Sequence, residues 1–205
     1  MTILLVRHGE TEWNLEGRYQ GWLDSPLTPR GAAQAQAIGR LLAGLGGDRP
    51  MPIVASPLGR ARHTAEIIAA SLRVQRPPTF DDRLREISLG SWDGLTRREI
   101  ARRSPAIFTG DGRREWYFRS PDGETYEGFS ARLGAWLDER RGAGPVAVVA
   151  HGVVSRVLRG LYAGLDRRTA LALPVPQDRV FRLSAGTIDE VAPDEDGSAF
   201  ARSDR

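Results

Sequence analysis

Two of the three histidines in this 205-residue chain occupy matching positions. His8 follows the apolar run Ile3-Leu4-Leu5-Val6 and Arg7, His151 follows Val146-Ala147-Val148-Val149-Ala150, and each precedes a glycine. A neutral imidazole is a nucleophile and a proton carrier near neutral pH. Arg7 adjoins the first histidine, and Arg60 falls in the first turn of the helix expected after a further apolar run, Ile53-Val54-Ala55. In an open α/β sheet, ligands bind at the C-terminal ends of the strands. Two arginines, two histidines and a helix N-terminus converging there would form a site for a dianion. Any one of these residues alone could be a strand-end side chain with unrelated hydrogen bonds; the constellation points to a site.

The elements that must position them are legible in outline. Ile3 to Val6 reads as a short buried strand. Thr28-Pro29 reads as the N-cap and first residue of a helix with Ile38, Leu41, Leu42 and Leu45 on one face. The strand Ile53 to Ala55 breaks at Ser56-Pro57, read as a second cap-and-proline pair before a helix with Leu58, Ala61, Ala65, Ile68 and Leu72. Thr96-Arg97-Arg98-Glu99 is a capping box, with Leu95 and Ile100 as its hydrophobic staple, and Pro105 ends that helix. Residues 104–124, rich in Gly, Pro and aromatics, read as a loop over something. Tyr126, Phe129, Leu133 and Leu137 mark an amphipathic helix. The strand Val146 to Ala150 leads into a helix with Val154, Val157, Leu158 and Leu161, closed by Gly164. Ala185-Gly186 between Val180–Leu183 and Thr187–Val191 predicts a β-hairpin. Strands alternating with helices predict an α/β fold with a central, mostly parallel sheet. One domain is expected over 1–192, with a polar tail at 193–205 that frays.

Composition excludes several chemistries. There is no cysteine, which removes thiol catalysis, disulfides and cysteine metal sites. All 29 basic residues are arginine, which removes Schiff-base chemistry, lysine bases and P-loop nucleotide binding. Those arginines alternate with the 26 acidic residues instead of forming a basic patch, so no nucleic-acid partner is expected. No apolar stretch approaches the ~20 residues of a membrane span, and Met1–Val6 is too short for a secretory h-region. A cytoplasmic protein is expected. No metal-ligand spacing is visible, and no cofactor is expected.

Leu5-Val-Arg-His-Gly-Glu-Thr-Glu-Trp-Asn14 closely resembles the N-terminal motif of the histidine phosphatase superfamily, the phosphoglycerate-mutase-like proteins. The resemblance continues through Arg18-Tyr-Gln-Gly-Trp-Leu-Asp24, Leu27-Thr-Pro-Arg-Gly31, Ala55-Ser-Pro-Leu-Gly-Arg-Ala-Arg-His-Thr-Ala65, Leu84-Arg-Glu-Ile-Ser-Leu-Gly-Ser-Trp-Asp-Gly94 and Val149-Ala-His-Gly152. It implies a three-layer α/β/α fold. By it, His8 is the nucleophile that becomes phosphohistidine, and Arg7, Arg60 and His151 hold the phosphoryl oxygens. Asn14, Gln20, Gly21 and Gly152 would complete the pocket, and Glu86 stands where the family has its general acid. Two guanidinium groups beside His8 would keep it neutral, as attack requires. The same groups would stabilise the equatorial oxygens of an in-line transfer. A proton on Glu86, favoured by burial beside a dianionic substrate, would protect the leaving alkoxide. His63 is read as structural. Trp13, Trp22 and Trp92 are expected to pack the loops that shape the crevice, and Trp116, Tyr117 and Phe118 to serve either as lid or as core edge.

The family divides between mutases and phosphatases. Cofactor-dependent mutases look like Glu-Arg-His-Tyr-Gly around the acid and His-Gly-Asn at the second histidine. This chain has Arg85-Glu86-Ile87-Ser88-Leu89-Gly90 and His151-Gly152-Val153, similar to the phosphatase branch. The expectation is a phosphatase acting on a small phosphorylated metabolite, with a homodimer possible by family habit. Arg113, Arg114 and Arg119 could meet a second anionic group on the substrate. The alternatives are a phosphoglycerate mutase and, from a different class, a non-catalytic phosphate-binding regulatory protein.

Overall fold

A computed structural model describes residues 1–46, 51–72, 76–110 and 115–193. Its centre is a six-stranded sheet in the order β3-β2-β4-β1-β5-β6. The strands are β1 (Thr2–Arg7), β2 (Ile53–Ala55), β3 (Thr79–Phe80), β4 (Val146–Ala150), β5 (Val180–Ser184) and β6 (Thr187–Val191). The first four run parallel to one another, and β5 and β6 add an antiparallel edge. The expected mostly parallel sheet is therefore observed.

Alternation within β1 divides the core into two layers. Leu4 and Val6, with Ile53, Ala55, Ala147 and Val149, face Ile38, Leu41 and Leu42 of α2 (Pro29–Gly46) and Ala61, Ala65 and Ile68 of α3 (Gly59–Leu72). Ile3 and Leu5, with Val146, Val148 and Ala150, face Phe129, Leu133 and Trp136 of α5 (Tyr126–Glu139) and Val154, Val157 and Leu158 of α6 (Gly152–Ala163). Burying each such aliphatic side chain stabilises the fold by about 1.5–3 kcal/mol. Fully buried β4 carries no polar residue because it is covered on both faces.

Local signals account for many of the boundaries. The Thr28 hydroxyl accepts the Gly31 N–H at 2.9 Å at the start of α2. The Thr96/Glu99 capping box opens α4 (Arg97–Arg103), and Gly164 closes α6 with φ +64°. Ala185 and Gly186 both have positive φ, as a two-residue hairpin turn requires. Among the described residues, the short elements not expected are α1 (Glu12–Leu15), β3, α7 (Arg167–Ala172) and the 3-10 turns Asp82–Leu84, Gly90–Trp92 and Trp116–Arg119, the last within the expected loop 104–124.

The start of α3 corrects the sequence reading. The helix begins at Gly59, beyond Ser56-Pro57, and its cap comes from a distant residue. Asp24 accepts the N–H groups of Gly59 at 2.5 Å and Arg60 at 3.2 Å. The Ser56 hydroxyl, expected to cap, accepts only the Leu58 N–H before the helix begins, at 3.3 Å, and is also engaged by His151 at 2.7 Å.

Candidate active site

Strand register builds the site. In the parallel pair β1/β4, Arg7 lies opposite Ala150, so His8 and His151 leave neighbouring strands at the same sheet end. Their ring centroids are 5.3 Å apart. On the other side of β4, Ala55 lies opposite Val149, and the Ser56 N–H donates to the Val149 carbonyl at 3.0 Å. That brings the N-terminus of α3, and Arg60 with it, to the same end. The loop after His8 is pressed onto the N-terminus of α2: a Cβ on Gly9 would stand 2.3 Å from the Gly31 carbonyl oxygen. The result is a cleft of about 320 Å³ lined by Arg7, His8, Asn14, Gln20, Gly21, Arg60, Glu86 and Gly152, among others. His151 is fully buried beneath it.

His8 Nδ1 lies 2.8 Å from the Gly9 carbonyl oxygen. Only a protonated Nδ1 can bond there, so Nε2 is the lone-pair nitrogen in the neutral ring. Burial, then the charges of Arg60 and Arg7, push the His8 pKa well below its ordinary value, against the Gly9 carbonyl contact. The neutral ring follows from position, as the arginine-rich motif suggested. His151 is lowered in the same direction by burial and by Arg60, His8, Arg7 and Arg132.

The guanidinium groups are aimed by carbonyls. Arg7 Nη1 donates to Val175 at 2.7 Å, and burial pulls its pKa down to about 10, with Glu86 opposing, so it stays charged at neutral pH. Arg60 Nη1 donates to the Leu23 carbonyl at 2.8 Å and to Asp24 at 2.9 Å, while Nη2 donates to the Gly21 carbonyl at 2.8 Å. Gly21 has φ +50°, and a Cβ there would overlap Asp93, so only glycine fits. Arg7 Nε, Arg60 Nε and His151 Nδ1 are buried without a hydrogen-bond partner among the described residues. Unpartnered buried polar nitrogens are costly, and these three belong to residues gathered at one sheet end, where an anion's oxygens would satisfy them.

Asn14 Oδ1 accepts from Thr11 N–H and from Gln177 Nε2, at 3.2 and 3.0 Å, which leaves the amide NH₂ for a ligand. Gln20 differs: its Nε2 donates to the Thr11 hydroxyl at 2.8 Å, and Oε1 is buried without a partner. In this orientation one of its two amide N–H donors is committed to Thr11. A Cβ on Gly152 would make only ordinary contacts, with Val175, Arg7 Nε and Glu86 Oε2 at 3.6–3.8 Å. Space therefore permits a side chain at Gly152, but it would project between the two charged groups.

Glu86 sits at the N-terminus of α6, where its carboxylate accepts N–H groups from Val153 at 3.1 Å and Val154 at 3.3 Å. Its backbone carbonyl is held by Trp22 Nε1 at 2.8 Å and Arg132 Nη2 at 3.2 Å. Arg132 is in turn gripped by Glu124, at 2.7 and 2.9 Å. Sequence reasoning missed Ser56, Arg132, Gln177 and Arg156 as parts of this end of the molecule, and missed what Asp24 does. Asp24 was visible within its motif, but its service to Arg60 was not.

Of the aromatics, Trp92 is buried and Trp22 stands half exposed beside Gly21. Trp116 and Tyr117 are both core and cleft wall, while Phe118 packs on the core without lining the cleft. His63 is exposed and away from the cleft. Arg119 is exposed and does not line the cleft, and Arg113 and Arg114 lie outside the described residues. Among the described residues no three His, Asp or Glu side chains group as metal ligands, and no helix is long and apolar enough to cross a membrane.

Comparison with known proteins bears on this arrangement. The chain is 40% identical over 186 residues to a Salmonella arizonae protein named probable phosphoglycerate mutase GpmB, covering 83% of this chain and 80% of that one. Among solved structures it is similar to Bacillus stearothermophilus YhfR (TM-score 0.76, 32% identity, 93% and 95% of the two chains). It is also similar to the mycobacterial glucosyl-3-phosphoglycerate phosphatase Rv2419c in complex with VO3 (TM-score 0.74, 27% identity, 93% and 96%). The model of the histidine phosphatase superfamily (branch 1), a superfamily of phosphatases and mutases, matches residues 3–189. With this sheet and this match over nearly its whole length, the chain belongs to the histidine phosphatase superfamily, branch 1.

Proposed function

We propose that the protein is a metal-independent phosphatase that hydrolyses phosphate monoesters of small metabolites through a phosphohistidine on His8. The observation that carries this reading is the juxtaposition of a neutral imidazole with the three unpartnered nitrogens of Arg7, Arg60 and His151. His8 Nε2 attacks phosphorus in line with the ester oxygen; the N–P bond forms as the O–P bond breaks. Arg7, Arg60, His151 and the Asn14 amide donate to the three phosphoryl oxygens, whose charge is the main thing a protein can stabilise in such a transfer. Gln20 joins them after a half-turn of its amide, with the Thr11 hydroxyl then donating to its oxygen. Glu86 gives its proton to the departing alkoxide. In the second step its carboxylate takes a proton from water, whose oxygen attacks phosphorus and breaks the P–N bond, releasing inorganic phosphate.

The phosphatase names of solved neighbours, and Val153 where mutases carry asparagine, support hydrolysis. The mutase name of the curated relatives supports a second reading, isomerisation of a phosphorylated acid.

The test is brief mixing with a ³²P-labelled monoester, quenched without acid, with and without EDTA. The expected result is acid-labile, alkali-stable label on the wild type, none on His8→Ala, and phosphate release that survives chelation. Isomerisation of 3-phosphoglycerate in the presence of 2,3-bisphosphoglycerate should be negligible beside it. Efficient isomerisation would establish the mutase, and absence of both label and phosphate release would leave a binding protein.

A further inference from the structure

The cleft holds two arginines whose charge the proposed phosphoryl transfer does not use, Arg18 and Arg156, and among the described residues Arg156 has no carboxylate partner. Arg156 lies on α6, three residues after Val153 and four after Gly152, so all three share a helix face toward the cleft. Its Nε donates to the Leu173 carbonyl at 2.8 Å, which aims the guanidinium. Among the described residues no carboxylate lies within ion-pair distance of it. Arg18, which also lines the cleft, is instead bound to Glu16 at 2.8 Å and Glu99 at 3.2 Å. Beside Arg156 stands the Tyr117 hydroxyl, on a side chain only 6% exposed; its oxygen is within hydrogen-bonding reach of the guanidinium, and its O–H proton has no acceptor among the described residues. Burial pushes the Tyr117 phenol up, against the opposing charge of Arg156, so it remains a donor. A cation without a carboxylate partner and a phenol O–H without an acceptor, among the described residues, thus meet on the wall of the cleft that Arg7, His8 and Arg60 also line. Ile87, Leu89, Val153 and Tyr19 line the same cleft and suit a short carbon chain.

We propose that Arg156 and the Tyr117 hydroxyl form a subsite for a second anionic group on the substrate. The favoured substrates are then phosphomonoesters carrying a carboxylate or a second phosphate three to four bonds from the ester oxygen. This rests on the phosphatase reading of the same site. Apolar leaving groups leave both donors unmatched, and hydroxylated ones leave Arg156 without an opposite charge, which is the source of the discrimination.

Matched esters test it: propyl phosphate, 3-(phosphooxy)propanoate and propane-1,3-diol bisphosphate, compared by kcat/KM. The wild type should favour at least one anionic ester over propyl phosphate by about 10–100-fold, the range of a charge-assisted contact. Which one it favours separates carboxylate from phosphate. Arg156→Met should collapse that ratio toward one, Arg156→Lys should restore part of it, and Tyr117→Phe should lower it less. A wild-type ratio near one, or a ratio that Arg156→Met does not change, overturns the subsite while hydrolysis of propyl phosphate still upholds the phosphatase. Calorimetry with 4-phosphonobutanoate and butylphosphonate, which cannot be hydrolysed, reads the subsite without turnover. Arg156-dependent preference for 4-phosphonobutanoate in a protein that hydrolyses none of the esters supports the subsite and overturns the phosphatase.

Discussion

Ser56 Oγ and His151 Nε2 stand 2.7 Å apart, and this contact decides which edge of the His151 ring faces the phosphoryl cradle. In the proposed transfer Nδ1 must donate to the phosphoryl group, which assigns the Nε2 lone pair to the Ser56 hydroxyl proton, while the Ser56 oxygen accepts the Leu58 N–H at 3.3 Å. The ring's proton then sits on Nδ1, the nitrogen left without a partner. Ser56 is thereby a positioning residue for a neutral hydrogen-bond donor.

Ser56→Ala frees the tautomer and leaves a buried nitrogen unsatisfied, at a cost of about 1–3 kcal/mol. The expected outcome is about a tenfold loss in the rate of His8 phosphorylation and weaker vanadate binding, with Ser56→Thr restoring both. Stopped-flow bursts and vanadate inhibition measure this. Equal vanadate affinity in Ser56→Ala and the wild type would show that His151 needs no help from Ser56.

Asp24 ties the N-terminus of α3 to the Arg60 guanidinium through Gly59 N–H, Arg60 N–H and Arg60 Nη1. Asp24→Ala removes a helix cap, worth about 0.5–2 kcal/mol of stability. It also leaves Arg60 held only by the Leu23 and Gly21 carbonyls. KM for phosphomonoesters should rise about tenfold with a smaller change in kcat, because the guanidinium is displaced, not deleted. A stability loss with unaltered KM would confine Asp24 to capping.

The proposed role of Glu86 as proton donor is tested by varying the leaving group. Glu86→Gln removes the transferable proton and keeps the size. General acid catalysis supplies about 10²–10⁴-fold, so the burst rate on an alkyl phosphate should fall within that range. The loss on p-nitrophenyl phosphate should be much smaller, since that phenolate leaves unaided. Equal burst losses on both would make Glu86 a holder of the α6 N-terminus and require another proton donor.

His8 and His151 are both held below their ordinary pKa in the folded protein, chiefly by burial. The unfolded chain therefore binds more protons as pH falls through about 6.5, so stability is present above that value and is lost below it. Each histidine contributes about 1.4 kcal/mol per pH unit, so the loss reaches as much as about 2.7 kcal/mol per unit. Urea unfolding at pH 7.5, 6.5 and 5.5 should show a falling midpoint, and His151→Gln a shallower fall. A flat midpoint over this range would mean that one or both rings are charged in the fold. For the same reason kcat/KM should show no acid limb near pH 6.5 from the nucleophile.

The sequence by itself determined the alternation of strands and helices, the hairpin at Ala185-Gly186 and the capping at Thr28, Thr96 and Gly164. These depend on neighbours within a few residues, and their signals are local. It also determined which residue types were available: arginine and histidine for an anion, with no lysine and no cysteine. Motif resemblance named His8, Arg7, Arg60, Glu86 and His151, and the fold brings all five to one sheet end. Tertiary structure alone decided which atoms of those residues are free to act. Ser56 reads locally as a helix cap, yet the register of β2 against β4 carries its hydroxyl to His151, 95 residues away in the chain. Asp24 reads as a loop acid, yet it caps a helix 35 residues on. Arg156 is one of 29 arginines, and only the fold shows its helix face lining the cleft without a carboxylate partner among the described residues. Hydrogen-bond partners are set by strand register and helix docking. A local preference worth tenths of a kcal/mol, repeated wherever a serine or arginine occurs, carries no record of them.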